Sequence, residues 1–364
     1  MHTGTYAECM LCPRRCKVDR VYGKTGVCSQ SASMRIARVA PHFWEEPCIS
    51  GTGGSGAVFF AGCSLRCSYC QNSKISRGGT NCGTEISVSQ LADRFLRLQE
   101  QGVHNINLVT ASQFAPSVIR AVEQAKKAGL ILPVVWNTSG YESLETLGML
   151  DGLIDIYLPD CKYVSAHLSG TYSGVPDYFE VCASAVQEMV RQTGPPLFRE
   201  QGKQADSRVK AQESGAAERI RVSCSQMSDE LDAAAYNART AQGEEYEGPL
   251  MVRGTIIRHL ALPGGGADSR RVLKYLYETF GDTVYISLMA QYTPPASLRA
   301  VSPVAELRGK NAFGAEENCE LDRRLREEEY EELVQYALDL GIENAFLQSL
   351  ETADESFIPE WDEL

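Results

Sequence analysis

Residues 57–70 read Ala57-Val-Phe-Phe-Ala61-Gly-Cys63-Ser-Leu-Arg-Cys67-Ser-Tyr-Cys70, an uncharged apolar run that breaks at a glycine into three closely spaced cysteines. The run reads as a buried strand, and the cysteines fall in the loop that follows it. The same alternation continues down the chain. Asn105–Thr110, Pro133–Asn137, Leu153–Leu158, Thr255–Leu262, Thr283–Met289 and Ala345–Gln348 are further short apolar runs. Between them lie helical patterns, the first opened by Ser87-Val-Ser-Gln90 as a capping box, with Val88, Leu91, Phe95 and Leu98 on one face. Others are expected over Pro116–Ala128, Leu144–Leu150, Asp177–Gln192, Ser269–Phe280 and Glu327–Leu340, the last closed by Gly341.

Near-continuous apolar strands separated by helices define an α/β protein whose sheet is parallel and covered on both faces. The number of βα units favours a partial or full parallel (βα) barrel over an open doubly wound sheet. Residues 1–50 are set apart as a Cys-rich N-terminal arm, and 51–350 form the core. The polar stretch Arg199–Gly248 is expected to be a mobile insertion, Ser297–Cys319 to be irregular, and 351–364 to be a solvated acidic tail.

The chain has 364 residues, 43% hydrophobic and 23% charged, enough for a large buried core and inconsistent with wholesale disorder. No apolar run approaches the roughly 18 residues of a membrane helix, and residues 1–20 carry no signal-like stretch. No membrane partner is expected. Net charge is −12, yet residues 1–80 hold ten Lys and Arg against four Asp and Glu. Bulk acidity argues against nucleic acid as a partner, because neutralising phosphates needs a basic surface. The local basic excess coincides with the cysteines, and cations stabilise thiolates.

Eight of the 13 cysteines lie within the first 70 residues. Cys63, Cys67 and Cys70 form a C-x3-C-x2-C triplet, which in a parallel barrel sits at the C-terminal mouth of the strands, where active sites collect. Three such cysteines can hold three corners of a 4Fe–4S cluster, which normally takes four thiolates, leaving one iron open for a ligand. Zinc more often takes two C-x2-C pairs. Cys82 could close the fourth corner, which would make the centre one for electron transfer or storage. Upstream, Cys9, Cys12, Cys16 and Cys28 provide four ligands for a second site, zinc or 4Fe–4S. Cys48, Cys161, Cys182, Cys224 and Cys319 are isolated and expected to be small buried residues. Gly264-Gly-Gly266 could turn its amides toward an anion, but a plain strand-to-helix turn is the simpler reading.

The triplet on the first strand's loop resembles that of radical S-adenosylmethionine (radical SAM) enzymes. Cys12-Pro-Arg-Arg-Cys16, Gly23-Lys-Thr-Gly-Val-Cys28, Trp44-Glu-Glu-Pro47 and Gly54-Ser-Gly-Ala-Val-Phe-Phe-Ala-Gly-Cys63 are, more narrowly, similar to PflX-type proteins, relatives of pyruvate formate-lyase activating enzyme. Cys70-Gln-Asn72, Ile257-Arg-His-Leu-Ala-Leu-Pro263 and Ser287-Leu-Met-Ala-Gln-Tyr-Thr-Pro294 extend that resemblance.

The resemblance implies a barrel of the radical SAM type, in which Cys63, Cys67 and Cys70 hold the cluster and the open iron chelates SAM. Reductive cleavage would give a 5′-deoxyadenosyl radical that takes hydrogen from a substrate. It further implies a one-electron donor such as flavodoxin or ferredoxin, a reducing cytoplasmic setting, and a possible protein substrate such as a glycyl-radical enzyme. Tyr69 would sit against the adenine. Thr110 occupies the position of a Gly-Gly-Glu segment that this chain lacks. Asn137 and Ser139 suit ribose hydroxyls, Asp160 and Lys162 match an Asp-x-Lys segment, and Arg258 suits the SAM carboxylate. His259, one residue on, should face the other way along a strand. The competing class is a non-catalytic iron–sulfur or zinc protein for electron transfer or assembly.

Overall fold

The structure is a computed structural model that describes residues 3–201, 246, 248–295, 319–348 and 350. Within them ten strands make one sheet: β1 Arg35–His42, β2 Ser55–Phe60, β3 Thr84–Glu85, β4 Ile106–Val109 and β5 Val134–Thr138, then β6 Ile156–Pro159, β7 Leu197–Arg199, β8 Leu250–Leu260, β9 Tyr285–Met289 and β10 Ala345–Leu347. The α-helices are α1 Thr3–Ala7, α2 Pro47–Ser50, α3 Ser73–Arg77, α4 Val88–Glu100 and α5 Ala115–Lys127. They continue with α6 Leu144–Leu150, α7 Ala166–Ser173, α8 Tyr178–Thr193, α9 Gly266–Phe280 and α10 Glu327–Leu340.

Seven strands run parallel in the order β2-β4-β5-β6-β8-β9-β10, and they are the seven runs that apolar patterning marks. Each lies beside the next parallel strand in the chain, so the strand order never reverses as a doubly wound sheet requires. Right-handed crossovers then put the connecting helices on one face and let the other curve around a lumen. Strands β2, β4, β5, β8, β9 and β10 all contribute side chains to one cavity on that inner side. The outer strands β3 and β10 do not pair with each other, so the sheet stays open and the barrel is partial.

Three antiparallel strands, β1, β3 and β7, are not marked by the sequence pattern. Because β1 pairs with β2 from Ile36 to His42, the sheet begins inside the stretch set apart as an N-terminal arm. Arg199 belongs to β7, so regular structure reaches the start of the expected insertion. The rest of that insertion except Glu200, Gln201, Tyr246 and Gly248, together with Cys224, residues 296–318 and residues 351–364, lies outside the described residues.

Local chemistry sets the helix ends. Ser87 Oγ accepts from the Gln90 amide at 3.2 Å while Gln90 Oε1 accepts from the Ser87 amide at 2.9 Å, the expected capping box of α4. A cap of this kind is worth about 1 kcal/mol. Gly341 ends α10 at φ +85°, where a side chain would be strained. Phe95 and Leu98 of α4 and Val118 and Val122 of α5 pack on Leu108 and Trp136 from the outer face of the sheet. Burying each such side chain contributes about 1.5–3 kcal/mol. In β8 the period of two is explicit: Arg258 and Leu260 face the lumen, while His259 turns outward to Ser269 of α9.

Candidate functional site

The site starts where β2 ends. Gly62 has φ +83°, and a Cβ there would lie 2.5 Å from the Cys28 carbonyl, so the chain turns out of the strand at a residue that must lack a side chain. The loop that follows is tied down on both sides. Arg14 Nε donates to the Ser64 carbonyl at 3.0 Å and its Nη1 to the Gly174 carbonyl at 2.8 Å. Arg77 Nη2 donates to the Arg66 and Cys67 carbonyls at 3.0 and 2.5 Å.

Cys63, Cys67 and Cys70 all line a cavity of about 500 Å³ at the C-terminal ends of the parallel strands. Their sulfurs receive hydrogen bonds from the Leu65 amide at 3.4 Å, the Ser173 hydroxyl at 3.1 Å and the Ser76 hydroxyl at 3.6 Å respectively. Burial pushes the Cys63 thiol up to about 12. Burial also raises Cys67, opposed by the Lys162 charge. Lys162 Nζ sits 2.5 Å from Asp160 Oδ2. Burial disfavours its charge, but Asp160 and the neighbouring Cys67 and Cys70 sulfurs outweigh that and raise it. A cation is thus held beside the thiols that most need one.

Tyr69, Thr110, Asn137, Ser139, Asp160, Lys162 and Arg258 line the same cavity as the triplet. Tyr69 is buried in a cluster of tyrosines, edge-on to Tyr163, Tyr172 and Tyr292, and its hydroxyl accepts from Tyr163 at 2.6 Å. Thr110 takes a left-handed backbone (φ +58°), and Ser112 beyond it donates to the buried Glu142. Arg258 also bonds within the chain: Nε and Nη2 reach Glu46 Oε1 and Oε2 at 2.8 and 2.5 Å, and Nη2 also reaches Glu45. The Trp44-Glu-Glu-Pro47 segment enters the lumen to make these bonds, and Asn107 joins it by donating to Glu45 Oε1 at 2.7 Å. Sequence reading assigned no role to Glu45, Glu46 or Asn107, although Asn107 in the run Asn105-Ile-Asn-Leu-Val-Thr110 is a polar residue where packing alone wants an apolar one.

Cys82 does not line this cavity. It packs with Ala57, Phe59, Ala61 and Ile75, and apart from burial only Arg35 shifts its thiol. Among the described residues, Cys48, Cys161, Cys182 and Cys319 are buried, as expected of small core residues. The Gly264 amide does face an anion, but that anion is the chain's own Glu329 carboxylate at 2.9 Å.

Cys9, Cys12, Cys16 and Cys28 lie apart from the cavity but close enough for their charges to interact. The Val27 amide donates to Cys16 Sγ at 3.4 Å, and Gly26 stands where a Cβ would be 2.8 Å from that sulfur. Burial pushes Cys12 up to about 12, with Cys28, Glu142 and Cys16 adding to the rise. Arg20, almost wholly buried, places Nη1 3.6 Å from Cys9 Sγ and 2.7 Å from the Gln113 carbonyl. Gln113 Nε2 in turn donates to the Ala61 and Gly62 carbonyls just ahead of Cys63. Among the described residues no three His, Cys, Asp or Glu side chains converge on a point where one metal ion could be held. A 4Fe–4S cluster makes a different demand, since each thiolate takes its own iron. Three thiols on one cavity, hydrogen-bonded at sulfur and faced by Lys162, fit that demand.

Fold and site together define a partial (βα) barrel with a cysteine-lined cavity at its C-terminal mouth. Residues 57–167 match the Radical SAM superfamily, so this stretch carries a radical SAM domain. An uncharacterized protein of Methanocaldococcus jannaschii is 26% identical over 181 residues, which cover 48% of this chain and 52% of that protein. The chain thus spans about half the length of that curated relative. A radical SAM domain supports, in general, a SAM-cleaving iron–sulfur enzyme with a 4Fe–4S cluster. Such enzymes generally take their electron from a donor such as flavodoxin or ferredoxin. No helix of the described residues is long and apolar enough to cross a membrane.

Proposed function

We propose that this chain cleaves SAM reductively and abstracts hydrogen from a second substrate, with Cys63, Cys67 and Cys70 as the three thiolates that hold the cluster. The observation that carries this reading is the sharing of one cavity by the triplet and by Asn137, Ser139, Asp160 and Lys162, all from the C-terminal ends of successive parallel strands. When bound, the cluster supplies the electron that breaks the SAM sulfonium bond and an open iron for its amino and carboxylate groups.

The chain's own residues hold and shield. Lys162 offsets the negative charge of the thiolates, and Asp160 fixes its ammonium in place. Ser173 and Ser76 donate to sulfur, which tunes a cluster's potential. Tyr69 and the tyrosines around it exclude water from one wall. Asn137 and Ser139 offer donors and acceptors to ribose hydroxyls, and Thr110 offers its hydroxyl near the methionine end. Arg258, held by Glu45 and Glu46 through Nε and Nη2, presents its guanidinium on the cavity wall toward the SAM carboxylate.

The finer reading follows the motifs shared with PflX-type proteins: an activating-enzyme-like protein of a reducing cytoplasm, whose substrate is a glycyl-radical enzyme. Cys9, Cys12, Cys16 and Cys28 hold a second metal, zinc or a 4Fe–4S cluster; the interaction among their thiols supports that grouping, and their failure to converge on one point favours the cluster over a single zinc ion.

The test is anaerobic purification, reconstitution with iron and sulfide, and reduction in the presence of SAM. The expected product is 5′-deoxyadenosine. Its absence, with an EPR signal that SAM leaves unchanged, overturns the enzyme reading and favours a non-catalytic iron–sulfur protein.

A further inference from the structure

Under the reading above, SAM and the second substrate share the cavity that Cys63, Cys67 and Cys70 line. The reducing electron must therefore reach the triplet from outside that cavity. Arg66, between the first two cysteines, and Arg77, which donates to the Arg66 and Cys67 carbonyls, do not line it. Arg66 Nη1 instead donates to the Val27 carbonyl at 3.1 Å and the Ser29 hydroxyl at 3.2 Å, so the triplet loop and the N-terminal arm share one surface.

Positive charge is concentrated on that surface. Residues 9–30 and 60–80 hold five and three Lys and Arg against a single acid, Asp19, in a chain of net charge −12. Asp19 Oδ1 accepts from the Val21 and Tyr22 amides at 3.0 and 3.4 Å, which fixes the turn that carries them. A Cβ on Gly26 would lie 2.8 Å from Cys16 Sγ and 3.6 Å from Val18, so the same turn packs beside Lys17. Arg15 is paired with Glu145, whereas Lys17 and Lys24 are exposed and make no ion pair among the described residues.

Apolar surface is exposed at the same place. Met10, Val21, Tyr22 and Val27 are four of the nine large hydrophobic side chains that stand exposed among the described residues, and Tyr22, at 85%, is the most exposed of them. Exposed apolar side chains rimmed by charge mark a protein interface. The sign of that charge selects an acidic partner.

We propose, resting on the SAM-cleaving reading, that this face docks an acidic one-electron donor protein, with Tyr22 as apolar anchor and Lys17 and Lys24 as the charges that receive it. In that step one electron leaves the donor for the cavity cluster, and no bond forms or breaks.

The experiment is calorimetric titration of the anaerobically reconstituted full chain with two oxidised acidic probes, a flavodoxin and a 2Fe–2S ferredoxin, at low ionic strength. At least one probe is expected to bind, with an affinity that falls as salt rises. Lys17→Glu with Lys24→Glu is expected to weaken binding at least about tenfold, and Tyr22→Ser at least about fivefold. Arg97→Glu with Lys127→Glu makes the same change in net charge at the last turns of α4 and α5, and should leave binding within about twofold. No binding of either probe, an unchanged affinity in either patch variant, or an equal loss in the control pair overturns the proposal. So does self-association of the chain that the Lys17 and Lys24 reversals abolish, which would assign the face to a second copy.

With dithionite as reductant, the patch variants should form 5′-deoxyadenosine as the unmodified chain does, and only donor-driven formation should fall. An equal fall with dithionite would give these residues a structural role and overturn the docking face. If the unmodified chain forms none with dithionite, the enzyme reading fails, while binding of the oxidised probes, which needs no turnover, still decides the docking face.

Discussion

Arg258 and Glu46 are 212 residues apart in the chain and meet through two hydrogen bonds, Nε to Oε1 at 2.8 Å and Nη2 to Oε2 at 2.5 Å. This pair anchors the linker between β1 and α2 inside the lumen. Removing the guanidinium leaves Glu45 and Glu46 buried without compensation, which costs about 3–5 kcal/mol. Arg258→Met is expected to lower the urea midpoint accordingly. A loss below about 1 kcal/mol would mean that the two carboxylates reach solvent without it.

The cysteines separate by role. Cys63→Ala is expected to abolish 5′-deoxyadenosine formation and the visible absorption of the cavity cluster while metal at Cys9–Cys28 persists. Cys82→Ala should leave both centres intact, since Cys82 packs among Ala57, Phe59, Ala61 and Ile75 and does not itself line the cavity. Metal analysis of the two variants decides the assignment, and loss of cavity iron on changing Cys82 would reverse it.

His259 predicts an acid-sensitive step. Its Nδ1 lies 2.7 Å from the Cys161 carbonyl and must donate, so Nε2 accepts from Ser269 at 2.9 Å and the ring is neutral. Burial lowers it from 6.5 to about 4, with Lys162 adding to the fall and the Cys161 bond opposing it. The folded value lies below the unfolded one, so the unfolded chain binds the extra proton first. This contribution is complete above pH 6.5 and is lost as the pH falls toward 4, about 3 kcal/mol in all. His259→Gln should flatten that part of a stability–pH curve. An unchanged slope would show that the ring charges in place.

Arg20 ties the N-terminal thiols to the barrel. Its guanidinium donates to the carbonyls of Gln30, Ser31 and Gln113 and stacks 4.9 Å from the Tyr6 ring. Lysine keeps the charge but cannot reach three carbonyls in a fixed fork. Arg20→Lys is expected to speed amide hydrogen exchange in residues 9–32 at least about tenfold, with α8 and α9 unchanged. Equal exchange in the arm would remove Arg20 from this role.

Glycine sets one further limit. Gly62→Ala forces a left-handed residue and a Cβ against the Cys28 carbonyl. It should cost about 1–3 kcal/mol in thermal or urea unfolding and move the triplet enough to impair cluster assembly. Normal assembly would show that the loop tolerates a shift.

Much of the fold was legible because its signals are local. A buried parallel strand such as Ser55–Phe60 is apolar on both faces and announces itself, as do the Ser87 box and the Gly341 stop. β1 was not, since Arg35, Arg38 and Pro41 interrupt its pattern and its partner β2 is what makes it a strand. Likewise, spacing alone grouped Cys63, Cys67 and Cys70, and strand position brought Asn137, Ser139, Asp160 and Lys162 to the same cavity. Arg258 was placed on the face that lines the cavity, and its bonds to Glu45 and Glu46 came only from the structure. Nothing near it in the chain mentions Glu45 or Glu46.

The sequence by itself determined the seven parallel strands, their connecting helices and the cysteine triplet at their mouth, because strand period, helix period and cysteine spacing are each written within a few residues. Only the tertiary structure decided that the sheet stays open, that β1 belongs to it, and that the lumen holds two carboxylates against one guanidinium. The last of these depends on pairings across more than two hundred residues, where charge balance is settled by what the fold buries together.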